Sequence, residues 1–127
     1  MRLALFDLDH TLLSGDSDVL WCEFLMDEGL LDRAEFAPLN ADMARRYREA
    51  SVSAQDFCEF YVASLAGRTL AEWRPVCQRF LDHVVAPRIP ASARALVESH
   101  RVRGDRLVMT TATNRVLTEL TAQHLRI

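Results

Sequence analysis

Two acidic side chains near the start of the chain have the type and spacing for phosphate chemistry. Asp7 and Asp9 directly follow the apolar residues 3–6, which are typical of a buried parallel strand. Alternation along a strand turns both carboxylates to one side, and open α/β sheets bind ligands at the carboxyl ends of strands. Two neighbouring carboxylates repel each other unless a hard cation such as Mg²⁺ neutralises them. The pattern therefore favours a metal-assisted reaction in which one carboxylate attacks phosphorus and the other carries a proton.

A second apolar run, residues 106–110, predicts another strand, and most of the intervening sequence has helical spacing. Helix starts are expected at Ser17, Ser53 and Thr69, and Pro75 predicts a kink or a restart inside the fourth helix. The resulting order is strand, four helices, linker, helix, strand, helix. It predicts an α/β core formed by residues 1–15 and 88–127, with residues 16–87 as a helical insert.

The sequences at the ends of the two predicted strands resemble two motifs of a known family. Residues 6–13, Phe-Asp-Leu-Asp-His-Thr-Leu-Leu, resemble the first motif of the haloacid dehalogenase-like superfamily, and residues 106–114 resemble its second. The helical insert resembles the cap of the branch that contains phosphoserine phosphatase. The resemblance implies a partial Rossmann-like parallel sheet with an inserted α-helical cap.

The resemblance also implies roles for individual residues. Asp7 would be the nucleophile and would bind Mg²⁺ through its carboxylate. Asp9 would act as general acid and then general base, and would bind the metal through its backbone carbonyl. Thr111 would hold the phosphoryl group, with Thr110 as the competing choice.

Three further positions have weaker support. The resemblance places Asp16 where phosphoserine phosphatases usually have a glutamate that meets the substrate amine, although a helix-start charge explains Asp16 equally well. Asn114 closes the second motif and is expected to contact substrate. His10 occupies a variable motif position and is better explained as a loop residue than as an acid or base.

The chain lacks two features of the family it resembles. Family members continue through a lysine motif and an acidic pair that completes the magnesium site, whereas this chain has no lysine and only Glu119 is acidic after Thr111. We therefore expect little activity from the chain alone. Both predicted strands would also be sheet edges, so a missing C-terminal half or self-association is expected to cover them.

Composition narrows the remaining function classes. A net charge of −3 gives no basic field for nucleic acid, and no apolar run is long enough to cross a membrane. Cys22, Cys58 and Cys77 are widely spaced among apolar residues, which favours buried thiols in the cytoplasm.

The leading hypothesis is a Mg²⁺-dependent phosphate monoester hydrolase that acts on a small phosphorylated metabolite, such as a phosphoserine-like compound, through an aspartyl-phosphate. A phosphotransferase of the same superfamily and a non-catalytic binding module are the alternatives.

Overall fold

The computed structural model describes residues 1–127, a short parallel sheet combined with a mainly helical chain. None of the helices has the length and apolar composition needed to span a membrane. The elements, in chain order, are β1 (Leu3–Asp7), α1 (Ser17–Asp27), α2 (Arg33–Arg48), α3 (Ala54–Val62), α4 (Leu70–Phe80), α5 (Ala91–Val102), β2 (Arg106–Thr110) and α6 (Arg115–Leu125).

The two strands pair in parallel, with Leu3 opposite Arg106 and Asp7 opposite Thr110. Parallel neighbours require a crossover connection, which the chain provides through the helices between β1 and β2. The carboxyl ends of both strands therefore meet at one edge of the sheet. This arrangement confirms the predicted α/β class and the partial Rossmann-like sheet.

Only one face of the sheet is covered. Ala4 and Phe6 are buried and share a core cluster with residues of α5 and α6. Leu3 and Leu5 point to the opposite face, and each is 60% exposed. Parallel sheets normally have both faces covered by other elements. The face that carries Leu3 and Leu5 lacks such a covering layer.

The helical insert, which we define as α1 to α4, is built around Trp21. This side chain is fully buried, and its ring contacts those of Phe24, Trp73 and Phe80 at centroid distances of 5.1 to 6.0 Å. The same core cluster reaches the sheet through Phe6. The insert and the sheet thus share one core, and the domain boundaries at residues 15/16 and 87/88 stay a prediction.

The start of α1 differs from the expectation. Asp16, not Ser17, is the N-cap, because its side chain accepts hydrogen bonds from the N–H groups of Asp18 and Val19. Ser17 is instead the first helical residue. The predicted cap at Ser17 is therefore wrong. The Ser17 hydroxyl does not cap the helix and can form a hydrogen bond with another residue.

Later helix ends match the sequence signals more closely. Ser53 caps α3, and Thr69 with Glu72 forms a complete capping box at the start of α4. The helix α4 continues through Pro75 without restarting. The irregular segment comes after it, as a π-helical turn at Leu81–Val85.

Candidate active site

Asp7 is the last residue of β1 and lies at the carboxyl edge of the sheet. Its Oδ2 accepts a hydrogen bond from the Thr11 hydroxyl at 2.8 Å, and its Oδ1 has no partner within the chain. The side chain is exposed to solvent. One oxygen of Asp7 is thus held in place, while the other is free to contact an incoming group.

The loop after β1 is a tight turn closed by backbone hydrogen bonds. His10 has a φ of 56°, and its N–H donates to the carbonyl of Gly15 at 3.0 Å. Gly15 has a φ of 136°, a conformation that side chains disfavour. The N–H of Ser14 donates to the carbonyl of Arg88 at 2.9 Å, which ties this loop to the segment before α5. His10 is therefore a loop residue positioned by its backbone.

The carboxylate of Asp9 is held by three donors. Its Oδ1 accepts from the N–H of Ser17 at 2.9 Å and from the Ser17 hydroxyl at 2.6 Å. Its Oδ2 accepts from the Thr113 hydroxyl at 2.8 Å. The two hydroxyl oxygens lie 2.9 Å apart, and both side chains are buried. These three hydrogen bonds engage both oxygens of the side chain, so the orientation of Asp9 is fixed.

Ser17 and Thr113 bind the side chain of Asp9 in the candidate site, and neither was predicted from the sequence. Thr113 lies inside the second motif, but nothing in its residue type separates it from Thr110 and Thr111. Ser17 had a helix-cap signal that pointed to a different role. The one sequence signal that could have indicated their contact with Asp9 is their position, since Ser17 follows the loop after β1 and Thr113 lies in the loop after β2.

The predicted phosphate-binding residues lie in or near the loop after β2. Thr110, the last residue of the strand, makes only a long hydrogen bond of 3.5 Å to the carbonyl of Phe6. The Thr111 hydroxyl accepts from the N–H of Thr113 at 3.1 Å, which shapes the turn. Asn114 caps α6 through its side-chain oxygen, and its Nδ2 is buried without a partner. The pairing of β1 with β2 brings this loop to the sheet edge that carries Asp7.

Two further aspartates give this edge a strongly acidic character. Burial, reinforced by the charges of Asp16 and Asp9, raises the pKa of Asp18 to about 8, and its Oδ1 has no hydrogen-bond partner. Burial and the charge of Asp9 also raise the pKa of Asp16. The raised pKa favours the protonated form of Asp18, which lessens the repulsion among the acids.

The donor set at this edge fits part of a magnesium site. The free Oδ1 of Asp7 is a hard oxygen ligand. The carboxylate of Asp9 is already occupied by three donors, which leaves its backbone carbonyl for a metal contact. The chain has no cluster of three or more His, Cys, Asp or Glu side chains able to hold a metal. Mg²⁺ commonly keeps several waters and binds through one or two carboxylates and substrate phosphate, so two protein ligands fit such an ion.

Comparison with known proteins identifies the family. A family model described as haloacid dehalogenase-like hydrolase matches residues 4–127. The chain belongs to this family. It is 34% identical over 113 residues to a histidinol-phosphatase from Neisseria meningitidis serogroup C (strain 8013), a match that covers 89% of this chain and 51% of that protein. The chain thus spans about half the length of the curated relative it matches.

Two solved structures are similar to the chain. A protein of unknown function from Bordetella pertussis Tohama I matches with a TM-score of 0.90 and 36% identity, over 99% of this chain and 57% of that one. A phosphoserine phosphohydrolase-like protein from Francisella tularensis subsp. tularensis SCHU S4 matches with a TM-score of 0.68 and 16% identity, over 100% of this chain and 55% of that one. At that identity, the second match supports the family fold alone.

Proposed function

We propose that this chain carries the nucleophile half of a magnesium-dependent phosphate monoester hydrolase that works through an aspartyl-phosphate. The observation that carries the proposal is the pair of carboxylates after β1. Asp7 keeps one oxygen free at the sheet edge, while Asp9, two residues on, is held in a fixed orientation. A free nucleophile beside a positioned acid is the arrangement that covalent phosphoryl transfer requires.

The reaction assigns one role to each carboxylate. The Oδ1 of Asp7 attacks phosphorus, the bond from phosphorus to the ester oxygen breaks, and protonated Asp9 gives its proton to the leaving alcohol. Asp9 then removes a proton from the water that attacks phosphorus and releases Asp7. Thr111, with Thr110 and Asn114 nearby, holds the transferring group by hydrogen bonds.

Mg²⁺ would be held by the Asp7 carboxylate and the backbone carbonyl of Asp9. When bound, it supplies the positive charge that lets a phosphate dianion approach a carboxylate. In the family that the chain resembles, a lysine tempers the repulsion between the nucleophile and the phosphate, and an acidic pair anchors the metal. Residues 1–127 contain no lysine, and only Glu119 is acidic after Thr111. We therefore propose that residues 1–127 have weak or no activity until further polypeptide completes the site.

The proposed substrate is a small phosphorylated metabolite with an amine. The relative at 34% identity is named histidinol-phosphatase, which makes histidinol phosphate the first candidate. A phosphoserine-like compound is the second, supported by the cap resemblance and by Asp16 near the site. A reducing cytoplasm is the proposed compartment, since Cys22, Cys58 and Cys77 are free thiols.

A fusion protein tests this proposal. Residues 1–127 are joined to the C-terminal part of the Bordetella pertussis protein that lies beyond the matched region. We expect the fusion protein to release phosphate from histidinol phosphate in the presence of Mg²⁺, and the 127-residue chain to be at least about a hundredfold slower.

The fusion protein with Asp7→Asn is the blank. A correctly folded fusion protein that releases no phosphate from a panel of phosphate monoesters would contradict the proposal. That result would favour the alternative of a non-catalytic module.

A further inference from the structure

A small cationic cavity lies between α5 and α6, away from the candidate active site. It has a volume of about 260 Å³, and four basic side chains and one acidic side chain contribute to its lining. The basic residues are Arg94 and Arg101 of α5 and His124 and Arg126 at the end of α6, and the acid is Glu98. The whole chain has a net charge of −3, so this concentration of positive charge is local.

Two of the guanidinium groups in this cavity have no carboxylate partner. Glu98 pairs with Arg101, which neutralises the one acid. Neither Arg94 nor Arg126 takes part in any ion pair of the chain. Arg94 is also half-buried, and a charge that is partly removed from water favours a counter-charge. The cavity therefore carries two positive charges that no carboxylate of the chain binds.

The hydrogen bonds of the two unpaired arginines leave donors available. One N–H group of Arg94 donates to the carbonyl of Ala86 at 3.1 Å, and another approaches the Nε2 of His124 at 3.1 Å. Because a guanidinium group only donates, Nε2 accepts and the ring proton lies on Nδ1. A guanidinium group has more N–H groups than these bonds use. The side chain of Arg126 forms no hydrogen bond at all, so both arginines keep donors for a ligand.

The end of α6 repels an anion less than an open helix end would. The carbonyl groups at the C-terminus of a helix carry partial negative charge. Arg101 donates to the carbonyl of Leu125 at 2.6 Å and to that of Arg126 at 3.4 Å. A cation thus already binds these carbonyl groups.

We propose that this cavity binds a phosphate dianion, either free or as the phosphate group of a metabolite, through Arg94 and Arg126. Two unpaired guanidinium groups match the charge of the dianion, and the planar fork of arginine suits phosphate oxygens. The volume suits a compact anion better than a larger organic ligand. The site is separate from the catalytic one, because α6 has 11 residues and its N-cap Asn114 lies about 16 Å from its other end.

Phosphate binding to the 127-residue chain tests this proposal, with Mg²⁺ removed by a chelator. The probes are inorganic phosphate, methyl phosphate and acetate at equal ionic strength, since salt screens exposed charges. At about pH 8 the first two are dianions, whereas acetate is a monoanion. We expect both phosphates to bind at least about tenfold more tightly than acetate and to shift the side-chain N–H resonances of Arg94 and Arg126 in NMR spectra. Tighter binding of inorganic phosphate assigns the site to free phosphate, and equal or tighter binding of methyl phosphate assigns it to a phosphorylated metabolite.

Four variants connect the binding to this cavity. Arg94→Gln and Arg126→Gln should each weaken phosphate binding by about tenfold, because each removes a charged donor. Arg126→Gln breaks no hydrogen bond of the fold, so it decides the test even if Arg94→Gln disturbs folding. Glu98→Gln should tighten binding by about threefold, since it removes the one acid and frees Arg101. Arg46→Gln is the matched control and should bind like the unchanged chain, because Arg46 of α2 also lacks an ion pair but lies outside the cavity.

The proposal is overturned if the phosphates bind no more tightly than acetate, if Arg126→Gln binds as tightly as the unchanged chain, or if Arg46→Gln weakens binding equally. Thr111→Val should leave the binding unchanged, and a loss of binding there would also overturn the proposal by placing the phosphate in the catalytic loop. The hydrolase proposal uses none of the cavity residues and is decided by phosphate release from the fusion protein, so the two can fail separately.

Discussion

At the scale of single residues, the site depends on how Asp9 is held. Its two carboxylate oxygens receive the hydroxyls of Ser17 and Thr113 together with one backbone N–H. A general acid must point at the leaving group throughout the reaction, and small errors in placement reduce rates strongly. We therefore propose that Ser17 and Thr113 are positioning residues for Asp9.

Replacing the Thr113 hydroxyl tests this role. In the fusion protein, Thr113→Val should lower kcat by about tenfold to a hundredfold with a smaller effect on KM, because Asp9 loses one of its donors. Thr113→Ser should restore most of the rate. Thr121→Val is a matched control, since Thr121 is a buried threonine of α6 outside the site. Equal rates for Thr113→Val and the unchanged fusion protein would show that the hydroxyl does not position Asp9.

The buried acid Asp18 makes stability depend on pH. Its pKa is about 8 in the folded chain against an ordinary 3.8, so folding favours the protonated form. This contribution to stability is fully present below about pH 4 and is lost as the pH rises towards 8. Asp18→Asn keeps the shape without the charge.

The free energy of unfolding should therefore fall more steeply for the unchanged chain than for Asp18→Asn between about pH 5 and about pH 8. Urea denaturation at the two pH values measures the difference. Glu23→Gln changes an exposed acid of the same helix and should behave like the unchanged chain. Parallel pH profiles for the unchanged chain and Asp18→Asn would mean that Asp18 does not stay protonated in the fold.

At the scale of elements, the capping box of α4 is a local source of stability. The Thr69 hydroxyl accepts from the N–H of Glu72 at 3.2 Å, and the Glu72 carboxylate accepts from the N–H of Thr69 at 2.7 Å. We expect Thr69→Ala to lower the free energy of unfolding by about 1 kcal/mol and Thr69→Ser to have little effect. Thermal or urea unfolding decides this, and identical stability of all three proteins would contradict it.

The sequence predicted an element correctly where the residues that determine it lie close together in the chain. The apolar runs of β1 and β2, and the pairing of Thr69 with Glu72, act within a few residues and were readable. The cap of α1 was wrong because Asp16 and Ser17 are adjacent and both can cap a helix. Only the fold decides between them, since it brings Asp9 and Thr113 to the Ser17 hydroxyl.

At the scale of the whole molecule, the sheet has an apolar face with nothing packed on it. Leu3 and Leu5 are each 60% exposed there, which is unusual for a parallel sheet. Sequence alone predicted unpaired edges but not an uncovered face, because the side on which α5 and α6 pack is set by the crossover in three dimensions.

The bare face should drive association of the isolated chain. We expect the 127-residue chain to form dimers or larger species that become more populated with concentration, and Leu3→Glu with Leu5→Glu to shift it towards monomer. Light scattering after size-exclusion chromatography measures this. Val102→Glu is the control, because Val102 is a highly exposed apolar residue at the end of α5 and not on the sheet. A chain that stays monomeric at all concentrations would contradict the expectation.

Phosphorylation of Asp7 itself is the decisive step of the proposed reaction. The most direct measurement is acid quenching of the fusion protein during turnover of histidinol phosphate with Mg²⁺, followed by mass spectrometry of the peptide that contains Asp7. We expect one added phosphoryl group on Asp7 and none on the same peptide of Asp7→Asn, which should also release no phosphate. Phosphate release by Asp7→Asn at the unchanged rate, or a phosphoryl group on a different residue, would contradict it.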